Sequence, residues 1–212
     1  MKNLKMINRA LLFFICNLFV FHIQGQDTKQ NEWQSLFDGK TLNGWQANED
    51  KEVFTVSKGM IVAKGGRSHL FYTGPISNAN FKNFELKADV MTEPGTNSGI
   101  YIHTKFQDKG WLQTGYEIQI NNSSTDKQMT GSIYNIVPDS ISPVKDMEWF
   151  TINVIVNNQN VVVKINNRTV ANYTERDPQK PISIFTGGTI ALQGHSEGSV
   201  AYFKNIYIKS IK

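Results

Sequence analysis

Glu117 is the first residue around which chemistry can be built. In Tyr116-Glu117-Ile118-Gln119-Ile120 polar and apolar side chains alternate, as in a strand with one wet and one dry face. If Tyr116, Ile118 and Ile120 enter a core, Glu117 and Gln119 share the opposite face, with Asn121 beyond them. The same rule sets Tyr101 and His103 opposite Ile100 and Ile102, with Lys105 following, and sets Ala191, Gln193 and His195 opposite Ile190, Leu192 and Gly194. Three strands then offer a carboxylate, amides, imidazoles and a phenol on one side. On a curved sheet these would converge in a groove suited to a sugar, which needs directional hydrogen bonds and a flat apolar surface for its ring. Outward faces of antiparallel sheets are polar in any case, so each residue taken singly reads as solvated surface, and only clustering in a pocket gives it a role. Asn97-Ser98-Gly99 and Gly115 are small enough to admit a ligand closely, although ordinary turn chemistry accounts for Gly115. Of Trp33, Trp45, Trp111 and Trp149, Trp111 is the expected exposed stacker and the others pack in the core or at its rim.

The elements that must hold these groups are strands. Period two recurs in Phe84-Glu85-Leu86-Lys87-Ala88-Asp89-Val90, and β-branched runs at 150–156 and 160–165 flank Asn157-Asn158-Gln159, a hairpin signature. Asn166-Asn167 offers a second tight turn, and 189–193 and 200–208 close the chain as strands. No window carries a capped 3.6-residue period, so helices should be few and short. The pattern predicts an all-β antiparallel sandwich or barrel.

The chain has 212 residues, 40% hydrophobic, with one cysteine and a formal net charge of +4. Lys2, Lys5 and Arg9 precede an apolar run from Ala10 to Ile23, which predicts a signal peptide over residues 1–25 and one domain over 26–212. Removing that segment leaves 19 basic against 18 acidic residues, by subtraction of three from the 22 Lys and Arg. A balance of +1 offers no electrostatic case for a nucleic-acid partner, and no stable membrane insertion is expected after cleavage. The expected location is periplasmic or extracellular. The remaining chain has no cysteine, so disulfides play no part in its stability. Phosphate-loop, dinucleotide, nucleophile-elbow and zinc-protease motifs are missing from the sequence, so no cofactor is expected. His69, His103 and His195 have no recognised metal-ligand spacing, and no metal is expected.

An ordered set of motifs resembles the 3-keto-disaccharide hydrolase family, long carried as domain of unknown function 1080. It opens with Trp33-Gln34-Ser35-Leu36-Phe37-Asp38-Gly39-Lys40-Thr41-Leu42-Asn43-Gly44-Trp45 and continues through Asn97-Ser98-Gly99-Ile100-Tyr101, Gly115-Tyr116-Glu117-Ile118-Gln119-Ile120 and Gly131-Ser132-Ile133-Tyr134. Asn166, Ala191-Leu192-Gln193-Gly194-His195 and Phe203-Lys204-Asn205-Ile206 complete it. The resemblance implies a concanavalin A-like jelly-roll of two curved antiparallel sheets, and action on glycosides oxidised at C3, by hydrolysis or by elimination. It departs from the family where His103 stands in place of a frequent Arg.

A 3-keto sugar relaxes the usual need for two carboxylates, because the ketone acidifies the C2 proton. A base, a donor for the enolate oxygen and an acid for the leaving oxygen suffice. On this reading Glu117 is the base or acid/base, with His103 or His195 as partner proton donor. Gln119, Gln193, Tyr101, Tyr134 and Lys105 hold hydroxyls or polarise the ketone. The rival is a non-catalytic carbohydrate-binding module, since the same sandwich serves lectins; a structural cell-surface domain is a third reading.

Overall fold

A computed structural model describes residues 32–176 and 187–211; the expected export segment lies outside the described residues. In chain order the strands are β1 (Gln34–Ser35), β2 (Trp45–Ala47), β3 (Phe54–Ser57), β4 (Met60–Lys64), β5 (Ser68–Tyr72), β6 (Phe84–Thr92) and β7 (Asn97–Thr104). They continue with β8 (Tyr116–Asn121), β9 (Phe150–Asn157), β10 (Asn160–Ile165), β11 (Arg168–Thr174), β12 (Thr189–Gly194) and β13 (Val200–Ser210). Helical structure among the described residues is confined to 3-10 turns at Lys51–Val53 and Ile76–Ala79.

The strands form two antiparallel sheets in a jelly-roll sandwich. One runs β11-β10-β9-β6-β13-β4-β3 with β1 on β13; the other runs β2-β5-β12-β7-β8. Alternation built the first sheet as expected: Phe84, Leu86, Ala88 and Val90 of β6 and Ile152, Val154 and Val156 of β9 are buried against the second sheet. Their partners between the layers are Ile100, Ile102, Ile118, Ile120, Ile190 and Leu192. The Asn166-Asn167 turn forms with both residues left-handed (φ 48° and 67°), the geometry that matches the twist of a two-residue hairpin.

Register shifts interrupt the pairing at three places among the described residues, one of them between β10 and β11 at Val163/Lys164. In β13 the register slips between Lys204 and Tyr207 around left-handed Asn205, so Phe203 and Ile206 both point inward. In β7 one extra residue is accommodated opposite Thr189–Ala191, with His103 left-handed at φ 52°. The β7 bulge determines which side chains the site receives.

Candidate functional site

The outer face of the five-stranded sheet carries a grid set by strand register. Phe71, Ala191, Tyr101 and Glu117 lie in one row across β5, β12, β7 and β8; His69 pairs with Gln193, and Gly99 with Gln119, in the next. Tyr116, Ile118 and Ile120 face the core, so Glu117 and Gln119 face outward by the pleat. A cavity of about 650 Å³ opens over this grid, a volume that accommodates a small saccharide. Tyr101, Trp111, Glu117, Gln119, Tyr134, Gln193 and His195 line it, with Asn97, Asp126 and Glu175.

Glu117 sits at the cavity floor. Its Oε2 accepts from the Tyr101 hydroxyl at 2.7 Å. The Gln119 amide, turned so that its nitrogen faces the carboxylate, donates to Glu117 Oε1 and to the Ser98 carbonyl, both at 3.2 Å. Burial pushes the Glu117 carboxyl up to about 7, with the Asp126 charge acting in the same sense, while the hydrogen bonds from Tyr101 and Gln193 pull down. Desolvation wins because the charged form loses more in leaving water than these neutral donors return. Burial and the adjacent carboxylate raise the Tyr101 hydroxyl as well, so it remains a donor.

Gly99 supplies the space. A Cβ at this position would stand 2.6 Å from Glu117 Oε1 and 2.9 Å from Glu117 Cγ, so the carboxylate lies across the glycine. What Gly99 admits is therefore the acidic side chain itself. Gly115 has the left-handed backbone that turn chemistry requires (φ +83°), and it also meets β7 closely: a Cβ there would stand 2.3 Å from the Ile102 carbonyl oxygen. On the β12 side, a Cβ on Gly188 would meet the His103 carbonyl carbon at 2.5 Å. The β7 bulge is thus bracketed by two residues without side chains.

The bulge overturns the placement of His103. Strict alternation sets it beside Tyr101, but the extra residue turns its ring inward, where it packs edge-on against Phe84 at 5.5 Å. Its Nε2 donates to the Lys82 carbonyl at 2.9 Å when that nitrogen carries the proton. Burial lowers its pKa to about 4, so the ring is a neutral core group and not a proton donor to Glu117. Lys105, beyond the bulge, is also displaced: it lines a separate cavity with Phe71 and Phe106.

The walls come from loops. The segment after β8 folds back along it, with the Gln119 nitrogen donating to the Ser132 carbonyl at 3.0 Å and the Tyr134 nitrogen to the Glu117 carbonyl at 2.9 Å. This holds Tyr134 beside Glu117, and its hydroxyl donates to Asp126 at 3.1 Å. Asn121, expected as a further outward group, is buried and fastens the same loop through the Asp126 and Gln128 carbonyls. On the other side Trp111, 46% exposed, leans on His195 at 5.0 Å and His69 at 6.1 Å. Arg67 caps its ring at 5.4 Å. Desolvation lowers His195.

Glu117 does not stand alone, contrary to expectation. Asp126 lines the same cavity, and so does Glu175, whose carboxylate accepts from Tyr116 at 2.7 Å and Tyr173 at 3.0 Å. Both lie outside the alternating runs, Asp126 in a Ser- and Thr-rich loop and Glu175 just past β11, so no periodicity marked them. His69 was equally hidden, because period two reveals a face and not which strand neighbours which. Among the described residues, no three His, Cys, Asp or Glu gather as a metal ion would require, and no helix is long and apolar enough to cross a membrane.

Proteins similar to this chain are named for glycoside hydrolysis. A 3-keto-disaccharide hydrolase of Bacteroides thetaiotaomicron is 26% identical over 166 residues, covering 66% of this chain and 57% of that protein. A crystal structure of a candidate glycosyl hydrolase from Parabacteroides distasonis superposes with a TM-score of 0.72 at 24% identity, covering 85% of this chain and 94% of the other. A second one from the same organism gives 0.67 at 26% identity, covering 85% and 100%. Residues 32–209 match the 3-keto-alpha-glucoside-1,2-lyase-like domain, and with that match spanning both sheets and every wall of the cavity, the chain belongs to this carbohydrate-active family.

Proposed function

We propose that this chain is an exported enzyme that cleaves 3-keto glycosides, with Glu117 as a single acid/base. The observation that carries the proposal is a carboxyl held near neutral pKa at the floor of a sugar-sized cavity, beside fixed hydrogen-bond donors. A base works best when its pKa lies near the operating pH, and a carboxylate raised toward that pH is a stronger base than one in the ordinary surface range.

Glu117 removes the proton from C2, and the electron pair of that bond moves into the ring ketone to give an enolate oxygen at C3. Gln119, Gln193 and Tyr134 on the cavity wall stabilise that charge once the substrate draws a hydrogen from their present acceptors, Glu117 and Ser98 for Gln119, Tyr101 for Gln193 and Asp126 for Tyr134. Collapse of the enolate restores the C3 carbonyl, forms a C1–C2 double bond and breaks the C1–oxygen bond. Protonated Glu117 returns its proton to the leaving oxygen. Addition of water, hydroxyl to C1 and hydrogen to C2, completes net hydrolysis. His195 is neutral through desolvation, so its part is hydrogen bonding to hydroxyls, while Trp111 offers a ring face for stacking.

The presence of Asp126 and Glu175 in the same cavity favours a second reading, a two-carboxylate hydrolase acting on unoxidised glycosides. A panel of 3-keto glucosides and their unoxidised parents separates the two. Release from the keto forms alone supports the proposal, whereas release from the parents selects the two-carboxylate reading. Saturable binding without release from either selects a carbohydrate-binding module.

A further inference from the structure

Trp111 stands in the loop that joins β7 to β8, a stretch without regular secondary structure. Apolar contacts fix the loop to the sheet on either side of it: Phe106 packs on Phe71 at 5.0 Å, and Leu112 packs on the small cluster of Phe71, Tyr101 and Ala191. Between those anchors the chain is tied by polar groups. The Gln107 amide nitrogen donates to the Lys109 carbonyl at 2.6 Å and to the Trp111 carbonyl at 3.0 Å. Asn48, the residue after β2, joins this staple to the sheet: it donates to the Gln107 carbonyl at 2.9 Å and accepts from the His69 nitrogen at 2.8 Å. These bonds fix the backbone of Trp111, but its side-chain rotamer is left for other neighbours to select.

Arg67 is the charged one among them. Its guanidinium lies over the indole, 5.4 Å from the ring centroid, within the reach of a cation–π contact. Glu49 in turn fixes the guanidinium: Arg67 Nε donates to Oε2 at 3.1 Å and Nη2 to Oε1 at 2.9 Å, a fork that Lys cannot reproduce. The Arg67 hydrogen bonds hold the Glu49 carboxyl below its usual value, and the Gly110 backbone N–H, next to Trp111 in the chain, lowers it further. One carboxylate thus meets both the cation above the indole and the chain just before it. An exposed ion pair adds little to the stability of a fold; what this one fixes is an orientation. We infer that Glu49 and Arg67 form a latch that sets the angle of Trp111 and thereby the affinity of the cavity for a sugar ring. The inference rests on the proposed stacking of the glycoside on Trp111, and adds to it positioning residues that are not among those lining the cavity. An indole 46% exposed would otherwise have to be ordered at each binding event, and that ordering weakens affinity.

The test is a double-mutant cycle between Arg67→Ala and Trp111→Ala, read as KM and kcat on a 3-keto glucoside. Arg67→Ala alone should raise KM about fivefold and leave kcat unchanged, because stacking is equally strong in the ground and transition states. That effect should vanish in the Trp111→Ala background, since the latch acts only through the indole. Arg67→Lys keeps the cation without the fork and should recover part of the KM. High salt should raise the KM of the wild type and not that of Arg67→Ala. Acrylamide quenching of tryptophan fluorescence, taken as the difference between each protein and its Trp111→Phe counterpart, should show the indole more readily quenched once Arg67 is gone. An unchanged KM, a fall in kcat, additive effects in the cycle or unchanged quenching overturns the inference. Calorimetric binding of the unoxidised parent glucosides runs the same cycle without chemistry. If the wild type cleaves nothing, yet Arg67→Ala weakens binding only when Trp111 is present, the cleavage proposal fails and the latch stands. A wild type that neither cleaves nor binds a glucoside overturns both.

Discussion

Replacing Glu117 with Gln should stabilise the protein at alkaline pH while abolishing its chemistry. The Glu117 carboxyl is raised from 4.5 to about 7, chiefly by burial. Because the folded value lies above the unfolded one, the folded state favours the protonated form. That contribution is fully present below pH 4.5 and is lost as pH rises through 7. At 1.36 kcal/mol per pKa unit, the loss is about 3 kcal/mol by pH 8. His69 and His103 titrate in the opposite sense, each lowered to about 4, so their contribution falls as pH drops from 6.5. The informative quantity is therefore the difference between wild type and variant at one pH, measured by urea unfolding at pH 4 and pH 8. The advantage of the Gln protein should grow by about 3 kcal/mol between those values, roughly 6–12 °C in Tm for a domain of this size. In the same protein, turnover of a 3-keto glucoside should fall by about 10²-fold or more. A stability difference that does not change with pH, or one that moves against the variant at pH 8, would refute the claim that the folded site penalises this charge.

The pH profile of kcat/KM should show an acid limb near 7, where the base loses its proton. Asp126→Asn should move that limb to lower pH, because the Asp126 charge raises Glu117, yet leave it above the ordinary carboxylate range, since burial is the larger cause; an unmoved limb would remove Asp126 from the electrostatics. Gly99→Ala should displace the carboxylate that lies across it and lower turnover by about 10²-fold with little change in Tm, and full activity would show that the carboxylate position is not critical. Gly115→Ala combines a left-handed backbone with a clash on the Ile102 carbonyl, and calorimetry should record destabilisation of roughly 2–5 kcal/mol.

The strands were readable because burial on one face imposes a period of two, and that period survives in the order of residue types. Glu117, Gln119, Tyr101 and Gln193 came out on the correct face for this reason alone. His103 did not, because a bulge costs one residue of register and leaves almost no local trace: its determinants are Gly115 and Gly188, remote in sequence and recognisable only once their backbones are seen against β7. Lys105 was lost with it, since every position past a bulge inherits the shift.

Composition, charge order and alternation by themselves determined antiparallel strands in a sandwich or barrel, and the outward side of the strands that carry Glu117, Tyr101 and Gln193. Tertiary structure alone decided which loops stand over that side, and hence that Asp126 and Glu175 join Glu117, that Trp111 roofs His69, and that a carboxyl ordinary in composition is pushed up toward neutrality. The division has a physical cause. Facing depends on nearest neighbours along the chain, whereas desolvation depends on everything within a few ångströms, and those neighbours come from distant parts of the sequence.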